Sequence, residues 1–270
     1  MFGKYVTIDD TTIHYLHTGP STLPGVAPAL DRGHLFLLVH AAGSNAAMWR
    51  RQLEGLAEHG HSAVALDLPG HGRSGGVEGL ASIEAYATFV ERFVAALALR
   101  PCVLVGRSMG GAVGLVVAAR RPALLGGLVL ACTSARFAFP AEMIAGLHDV
   151  VRGRSPQQFG TETFSPSTPQ PLMVEAWREQ VKTDPRVRYT DVLACRDFDG
   201  RALLPRLRTP TLVLAGADDG VTPVSCAEEL AHDIPGARLS ILQAAGHQAP
   251  LEQSEAVNGL LVEFAGTLAR

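Results

Sequence analysis

Two stretches of the chain set a serine in the pattern Gly-x-Ser-x-Gly: GRSMG at 106–110 and GRSGG at 72–76. A serine hydroxyl is a weak nucleophile at neutral pH. It attacks a carbonyl when an imidazole takes its proton and an acid holds that imidazole in the correct tautomer. These residue types raise acyl transfer, and the surroundings of each serine decide which one could perform it.

Ser108 lies between the apolar run CVLVGR at 102–107 and a helix-forming run that begins at Met109. A sharp strand-to-helix turn lifts a serine oxygen to the carboxyl edge of a sheet, and it needs glycines because neighbouring side chains would collide. Gly106 and Gly110 fit that steric role, with Arg107 between Gly106 and the serine, and Gly111 lets the helix start close to its neighbours. Ser74 instead follows the turn LPGHG and precedes GGVEGLAS, a loop-like stretch and a poor helix start. The expectation is a nucleophile at Ser108 and a loop residue at Ser74.

In the chain order proper to such a sheet, acid and base follow the serine, acid first. Beyond residue 200 the histidines are His232 and His247. His232 falls mid-helix in AEELAHDIP, whereas His247 follows the strand-like RLSILQ in the loop AAGHQAPLE, where its ring could reach over the sheet edge. His247 is the expected base. The run TLVLAG ends in ADDGVTPV and offers Asp218 and Asp219, which spacing alone does not separate. A tetrahedral intermediate also needs two backbone N–H donors for its oxyanion. Met109, the residue after the serine, is expected to supply one, and the small-residue loop HAAGSNAAMW at 40–49 the other.

Groups so far apart in the chain meet only if strands end at one edge. The apolar runs LFLLVH at 35–40, SAVALD at 62–67, CVLVGR at 102–107, GGLVLAC at 126–132, TLVLAG at 211–216 and RLSILQ at 238–243 alternate with helical patterns near 83–97, 109–120, 224–233 and 254–268. Short, continuously apolar strands between helices describe the α/β class, a mostly parallel central sheet covered on both faces. Residues 2–8 and 12–17 read as a β-hairpin, and TGPSTLPGVAPALDRG after it as a surface connector. Residues 135–200 break the rhythm with helical pieces such as PAEMIAGLHDVV and LMVEAWREQV and no strand run. They are expected to form a helical cap, a lid, inserted in a core domain made of 1–134 and 201–270. Cap residues such as Phe137, Met143, Leu147, Phe159 and Trp177 are expected to pack that layer more often than to touch a ligand.

A chain of 270 residues with 47% hydrophobic content can bury one large core. Its net charge of -3, with no cluster of Lys and Arg, argues against nucleic acid or an anionic membrane as partner. Cys102, Cys132, Cys195 and Cys226 lack any Cys-x-x-Cys spacing, the N-terminus lacks a secretory pattern, and no run is long enough to span a membrane, so a cytoplasmic protein is expected. His59-x-His61 has Glu58 beside it but no third ligand at a recognised spacing. The glycines around Ser108 match neither a phosphate loop nor a dinucleotide fingerprint. No metal and no organic cofactor are expected.

With these motifs assembled, the chain resembles the α/β-hydrolase family over essentially its full length. The resemblance is carried by HAAGSNAAMW at 40–49, DLPGHGRS at 67–74, GRSMGG at 106–111, and GADDGVTP paired with AGHQAPLE. It implies that Asp219 rather than Asp218 is the acid, that the N–H groups of Ala42 and Met109 form the oxyanion hole, and that His71 and Ser74 are structural. Members usually carry Gly where this chain has Ala41. Halide- and epoxide-cleaving relatives use an aspartate nucleophile, which Ser108 argues against. Within the serine branch the chain is similar to 3-oxoadipate enol-lactonases and the small esterases around them, whereas C–C hydrolases of ring-cleavage products usually have a more Gly- and Pro-rich oxyanion loop. The expected activity is a serine carboxylesterase acting on small-molecule esters through an acyl-enzyme. The alternatives are an enol-lactone hydrolase, a C–C bond hydrolase, or a small-ligand binding protein on a hydrolase scaffold. Arg107 is expected to meet either an acidic group of the substrate or a carboxylate of the cap.

Overall fold

The apolar runs at 35–39, 62–66, 102–107, 125–131 and 211–216 bury both of their faces, alternate residues of one strand feeding two separate cores, whereas the expected run at 238–242 forms a partly exposed edge strand. The computed structural model describes residues 2–20 and 22–269. Strands β1 (Phe2–Ile8) and β2 (Thr11–His17) form an antiparallel hairpin whose two-residue turn puts Asp9 and Asp10 at positive φ, the backbone that matches the twist of such a pair. There follow β3 (Leu35–Val39), α1 (Arg50–Glu58), β4 (Ser62–Leu66), α2 (Ile83–Ala96), β5 (Cys102–Arg107), α3 (Met109–Arg120) and β6 (Leu125–Ala131). The helices α4 (Ala141–Val151), α5 (Gln170–Gln180) and α6 (Pro185–Asp197) come next. The chain then returns to the sheet through β7 (Thr211–Gly216), α7 (Val224–Asp233), β8 (Arg238–Leu242), α8 (Ala249–Glu252) and α9 (Ser254–Gly266).

The eight strands lie in the order β1-β2-β4-β3-β5-β6-β7-β8, parallel from β4 to β8. Phe36, Leu38, Ala63, Ala65, Val103 and Val105 pack with Leu53 and Leu56 of α1 and Leu261 and Phe264 of α9. Their neighbours Leu37, Val39, Val64, Leu66 and Leu104 pack on the opposite face with Val90 and Phe93 of α2 and Val113 and Leu115 of α3. This period-two division between two apolar layers is why the strands read as unbroken hydrophobic runs.

Several boundaries move. The strands expected to reach His40, Asp67 and Gln243 stop at Val39, Leu66 and Leu242. His40 and Asp67 turn out of the sheet to make loop contacts described below. The insertion after β6 contains α6, which the sequence reading did not separate although Asp184 caps it, accepting from Arg186 N at 2.8 Å, and Pro185 opens it. The connector after β2 carries no helix or strand in its described residues; Ser21 lies outside them. No described helix is long and apolar enough to cross a membrane.

Candidate active site

Ser108 occupies the single residue between β5 and α3, at φ 51° and ψ -118°. A non-glycine residue held there is strained by roughly 1–3 kcal/mol and persists only because its surroundings fix it. Thr133 Oγ1 donates to Ser108 O at 2.7 Å, and the N–H groups of Gly111 and Ala112 reach the same carbonyl at 2.8 and 3.2 Å. A Cβ on Gly106 would lie 2.1 Å from Gly110 O, and one on Gly110 would lie 2.3 Å from Val39 O, so the bend admits only glycine at both places. Met109 is the first residue of α3, and its N–H has no intrahelical acceptor.

His247 follows β8, three strands away from β5, yet its loop folds back across the intervening strand ends. Ala217 N–H donates to Leu242 O and Asp218 N–H to Ala245 O, each at 2.9 Å. The loop passes so close over β7 that a Cβ on Gly216 would fall 2.3 Å from Ala245 O. Over β6, Cys132 Sγ approaches Gly246 O at 3.8 Å. Arg107, immediately before Ser108, donates through Nη1 to Gln248 Oε1, immediately after His247. The chain neighbours of the serine and the imidazole are therefore bonded to each other. Among the described residues no hydrogen bond joins Ser108 to His247 itself.

The adjacent aspartates separate. Asp219 Oδ2 meets His247 Nδ1 at 2.9 Å, Thr222 Oγ1 donates to the same oxygen at 2.9 Å, and Oδ1 accepts the N–H groups of Val221 and Thr222 at 2.8 and 2.9 Å. Asp218 turns away and accepts Ser165 Oγ at 2.6 Å. Burial works to raise the Asp219 pKa, but His247 and the Thr222 donors outweigh it and leave the carboxyl below its ordinary value. Burial lowers the His247 pKa; Asp219 opposes this, and the Arg107 charge reinforces it.

Ala42 lies in the loop after β3, and two buried carboxylates hold that loop. Asp67 Oδ1 accepts Ala46 N–H at 2.6 Å, and Asp191 of α6 accepts Gly43 N–H at 2.8 Å. Asp191 also meets His71 Nε2 at 2.7 Å and accepts from the Tyr86 hydroxyl, and it is wholly inaccessible to solvent. The second His71 nitrogen faces Pro69 O at 3.0 Å, so both ring nitrogens point at acceptors, the arrangement of an imidazolium. Burial opposes that charge, but Asp191, the Pro69 carbonyl and Asp67 raise the pKa. His40, 4.7 Å away between ring centres, accepts Leu68 N–H on Nε2; burial first, then the His71 charge, push its pKa down to about 4.

Sequence reasoning overlooked Asp191 and Glu252. Asp191 is legible in retrospect, because it falls on the buried stripe of α6 with Val187 and Cys195, four residues to either side. Glu252 ties the insertion to the histidine loop by accepting Ser165 N–H at 2.7 Å and Gly246 N–H at 2.9 Å. Ser74 is tied into the hairpin: its hydroxyl donates to Asp67 O at 2.7 Å and accepts His14 N–H at 3.0 Å. Arg107 is 5% exposed and, among the described residues, forms no ion pair with a carboxylate of the inserted helices. A cavity of about 310 Å³ lies within the insertion, lined by Met143, Leu147, Phe159, Thr163 and Arg188. Thr163 O packs on Gly246 and the Arg188 stem covers Gly43, while the cavity itself is walled by the insertion and does not touch Ser108.

The model described as the alpha/beta hydrolase family matches residues 36–260. A protein of Agrobacterium fabrum, provisionally named as the carbamate hydrolase RutD, is 31% identical over 243 residues, 84% of this chain and 91% of that protein. Among solved structures, a thermophilic esterase from Thermogutta terrifontis superposes with a TM-score of 0.80 at 28% identity, covering 94% of this chain and 93% of the other. The enol-lactonase from Burkholderia xenovorans superposes with a TM-score of 0.79 at 25% identity, covering 97% and 99%.

Proposed function

This chain belongs to the α/β-hydrolase family, and from that premise we propose that it is a serine carboxylesterase acting on small-molecule esters, with Ser108 as nucleophile, His247 as base and Asp219 as the acid that orients it. The observation that carries this reading is the buried Asp219–His247 pair at 2.9 Å, returned over the sheet to the strained Ser108 bend by a loop that Arg107 grips through Gln248. A strained serine at the carboxyl edge of the sheet, with an imidazole oriented by a carboxylate on a loop that returns toward it, supports acyl transfer, and a passive binding site has no need of either.

In the proposed cycle substrate binding draws Ser108 Oγ onto His247 Nε2, a bond that forms in the complex. His247 takes the hydroxyl proton as Ser108 attacks the carbonyl, and Asp219, bonded to Nδ1, stabilises the imidazolium. The N–H groups of Met109 and Ala42 hold the oxyanion. His247 then protonates the leaving alcohol, and water activated by the same ring releases the acid. A lactone would follow the same steps, its leaving alcohol remaining tethered; the extent of the likeness to an enol-lactonase supports this as the second reading.

Active-serine labelling tests the proposal. A fluorophosphonate should label the folded protein stoichiometrically, with labelling lost in Ser108→Ala, and p-nitrophenyl esters of increasing acyl length should be turned over. Assayed alongside, an enol-lactone and a ring-cleavage dienone rank the reaction types. A folded protein that neither labels nor cleaves any member of the panel would refute the reading.

A further inference from the structure

Glu252 is the last residue of α8, just beyond His247 in the chain, and its side chain reaches back over the loop that carries the imidazole. Oε2 accepts Gly246 N–H at 2.9 Å, on the residue immediately before His247. Oε1 accepts Ser165 N–H at 2.7 Å and the Thr168 hydroxyl at 2.5 Å, both on the inserted segment. All three partners are donors, a set that the two oxygens of a carboxylate satisfy together and a carboxamide cannot.

The insertion and the histidine loop are also pressed together at the same place. A Cβ on Gly246 would lie 2.7 Å from Ser165 N and 2.9 Å from Thr163 O, so the inserted backbone lies directly on the loop. Ser165 is buried, and its hydroxyl donates to Asp218, which meets the histidine loop through its own backbone N–H on Ala245 O. Of these two carboxylates that grip Ser165, only Glu252 also grips the histidine loop with its side chain among the described residues.

We propose that Glu252 is a positioning residue for His247: it fixes the peptide that precedes the imidazole and makes that placement depend on the seated insertion. A loop that must carry the ring onto Ser108 Oγ needs its approach fixed, because a misplacement of about 1 Å costs about 100-fold in rate. Charge-assisted bonds to backbone N–H groups are short and roughly twice as strong as neutral ones, which suits them to that duty. The charge has a second effect. Around the ring stand Asp219 after β7, Arg107 at the end of β5 and Glu252 on α8. The Cys132 thiol after β6 is pushed by burial up to about 12, and the insertion brings Thr163, Phe164 and Ser165, none of them titratable, against Gly246. Burial lowers the His247 pKa, Asp219 raises it, Arg107 lowers it and Glu252 raises it, so removing the Glu252 charge lowers it further.

The inference rests on the hydrolase reading, and the test separates the two. Turnover of p-nitrophenyl butyrate, followed at the isosbestic wavelength of its product and counted per Ser108 labelled by fluorophosphonate, is compared in wild type, Glu252→Gln, Glu252→Asp and Ser165→Ala. In Glu252→Gln, kcat should fall by about 10- to 100-fold with KM within about threefold. The acid limb of kcat/KM should also move to lower pH, as loss of a nearby negative charge requires. Glu252→Asp keeps the charge on a shorter stem, so its limb should lie at the wild-type position while kcat recovers only in part; it carries the test if Glu252→Gln does not fold. Ser165→Ala deletes the hydroxyl contact with Asp218 and leaves the N–H on Glu252, so kcat should stay within about threefold and the limb should not move. An unmoved limb in Glu252→Gln, wild-type kcat in Glu252→Asp, or a kcat loss in Ser165→Ala as large as in Glu252→Gln would overturn the positioning role while leaving the hydrolase intact. A wild type that neither cleaves the ester nor labels at Ser108 would overturn the hydrolase reading, and this inference with it.

Discussion

The carboxylate of Asp191, on a helix inserted between β6 and β7, accepts the backbone N–H of Gly43 at 2.8 Å. Gly43 follows Ala42 directly, so a side chain 148 positions further along the chain fixes the loop proposed to bind the oxyanion. Removing that anchor should loosen the Ala42 N–H at the moment charge develops. In Asp191→Asn, kcat is expected to fall by about 10- to 100-fold with a smaller change in KM. Stability should also drop, by about 3 kcal/mol, because the charged partner of a buried His71 is lost. Tyr86→Phe deletes another bond to the same carboxylate and serves as the control, with lowered thermal stability but kcat within about threefold. Parallel loss of kcat in both variants would mean the network acts through stability alone.

Asp218 and Asp219 are neighbours with different partners, one a serine hydroxyl of the inserted segment and the other the imidazole. Asp219→Asn should lower ester turnover by about 10³- to 10⁴-fold, because an amide cannot hold His247 in the required tautomer. Asp218→Asn should lower it by less than about tenfold and act mainly on the Ser165 contact. Steady-state rates of the two variants on one ester check the assignment.

Ser74 shares the Gly-x-Ser-x-Gly pattern, but its oxygen is engaged between Asp67 O and His14 N–H. Ser74→Ala is expected to cost about 1–3 kcal/mol in urea unfolding, the range for removing such bonds. Stoichiometric labelling at Ser108 should remain. Loss of labelling in a folded Ser74→Ala protein would reverse the choice between the serines.

The proposed base must be neutral to act, and burial places the His247 pKa below its ordinary value of 6.5. The acid limb of kcat/KM, which reports the free enzyme, should therefore have its midpoint below that value, activity falling as pH drops through it. The Arg107 charge contributes to the lowering, so Arg107→Met should move the limb to higher pH. Profiles measured at constant ionic strength test both the position and the direction.

Much of this molecule is legible in one dimension because its physics is local. Continuous apolar runs declare strands buried on both faces, and CVLVGR followed by SMGG declares the bend, since the glycines demanded by crowding at 106 and 110 are visible as letters. Order along the chain also singled out His247 over His232.

What the letters left open depends on where loops cross. Asp218 and Asp219 have the same type and neighbourhood, so spacing did not separate them; the family resemblance pointed to Asp219, and the return of the β8 loop over β7 turns that one toward the imidazole. Asp191 lies in a stretch whose role rests on contacts more than a hundred residues distant in sequence, with Gly43, His71 and Tyr86. Arg107 could equally have met a cap carboxylate, and packing instead left it facing a small cavity. Sequence thus determined the sheet and the bend, because backbone geometry and burial dictate them locally, and chain order pointed to the histidine proposed as base. Tertiary structure alone decided which buried charges hold the neighbouring loops and how the Asp219 carboxylate meets the histidine, because those contacts depend on distances between elements that no local pattern encodes.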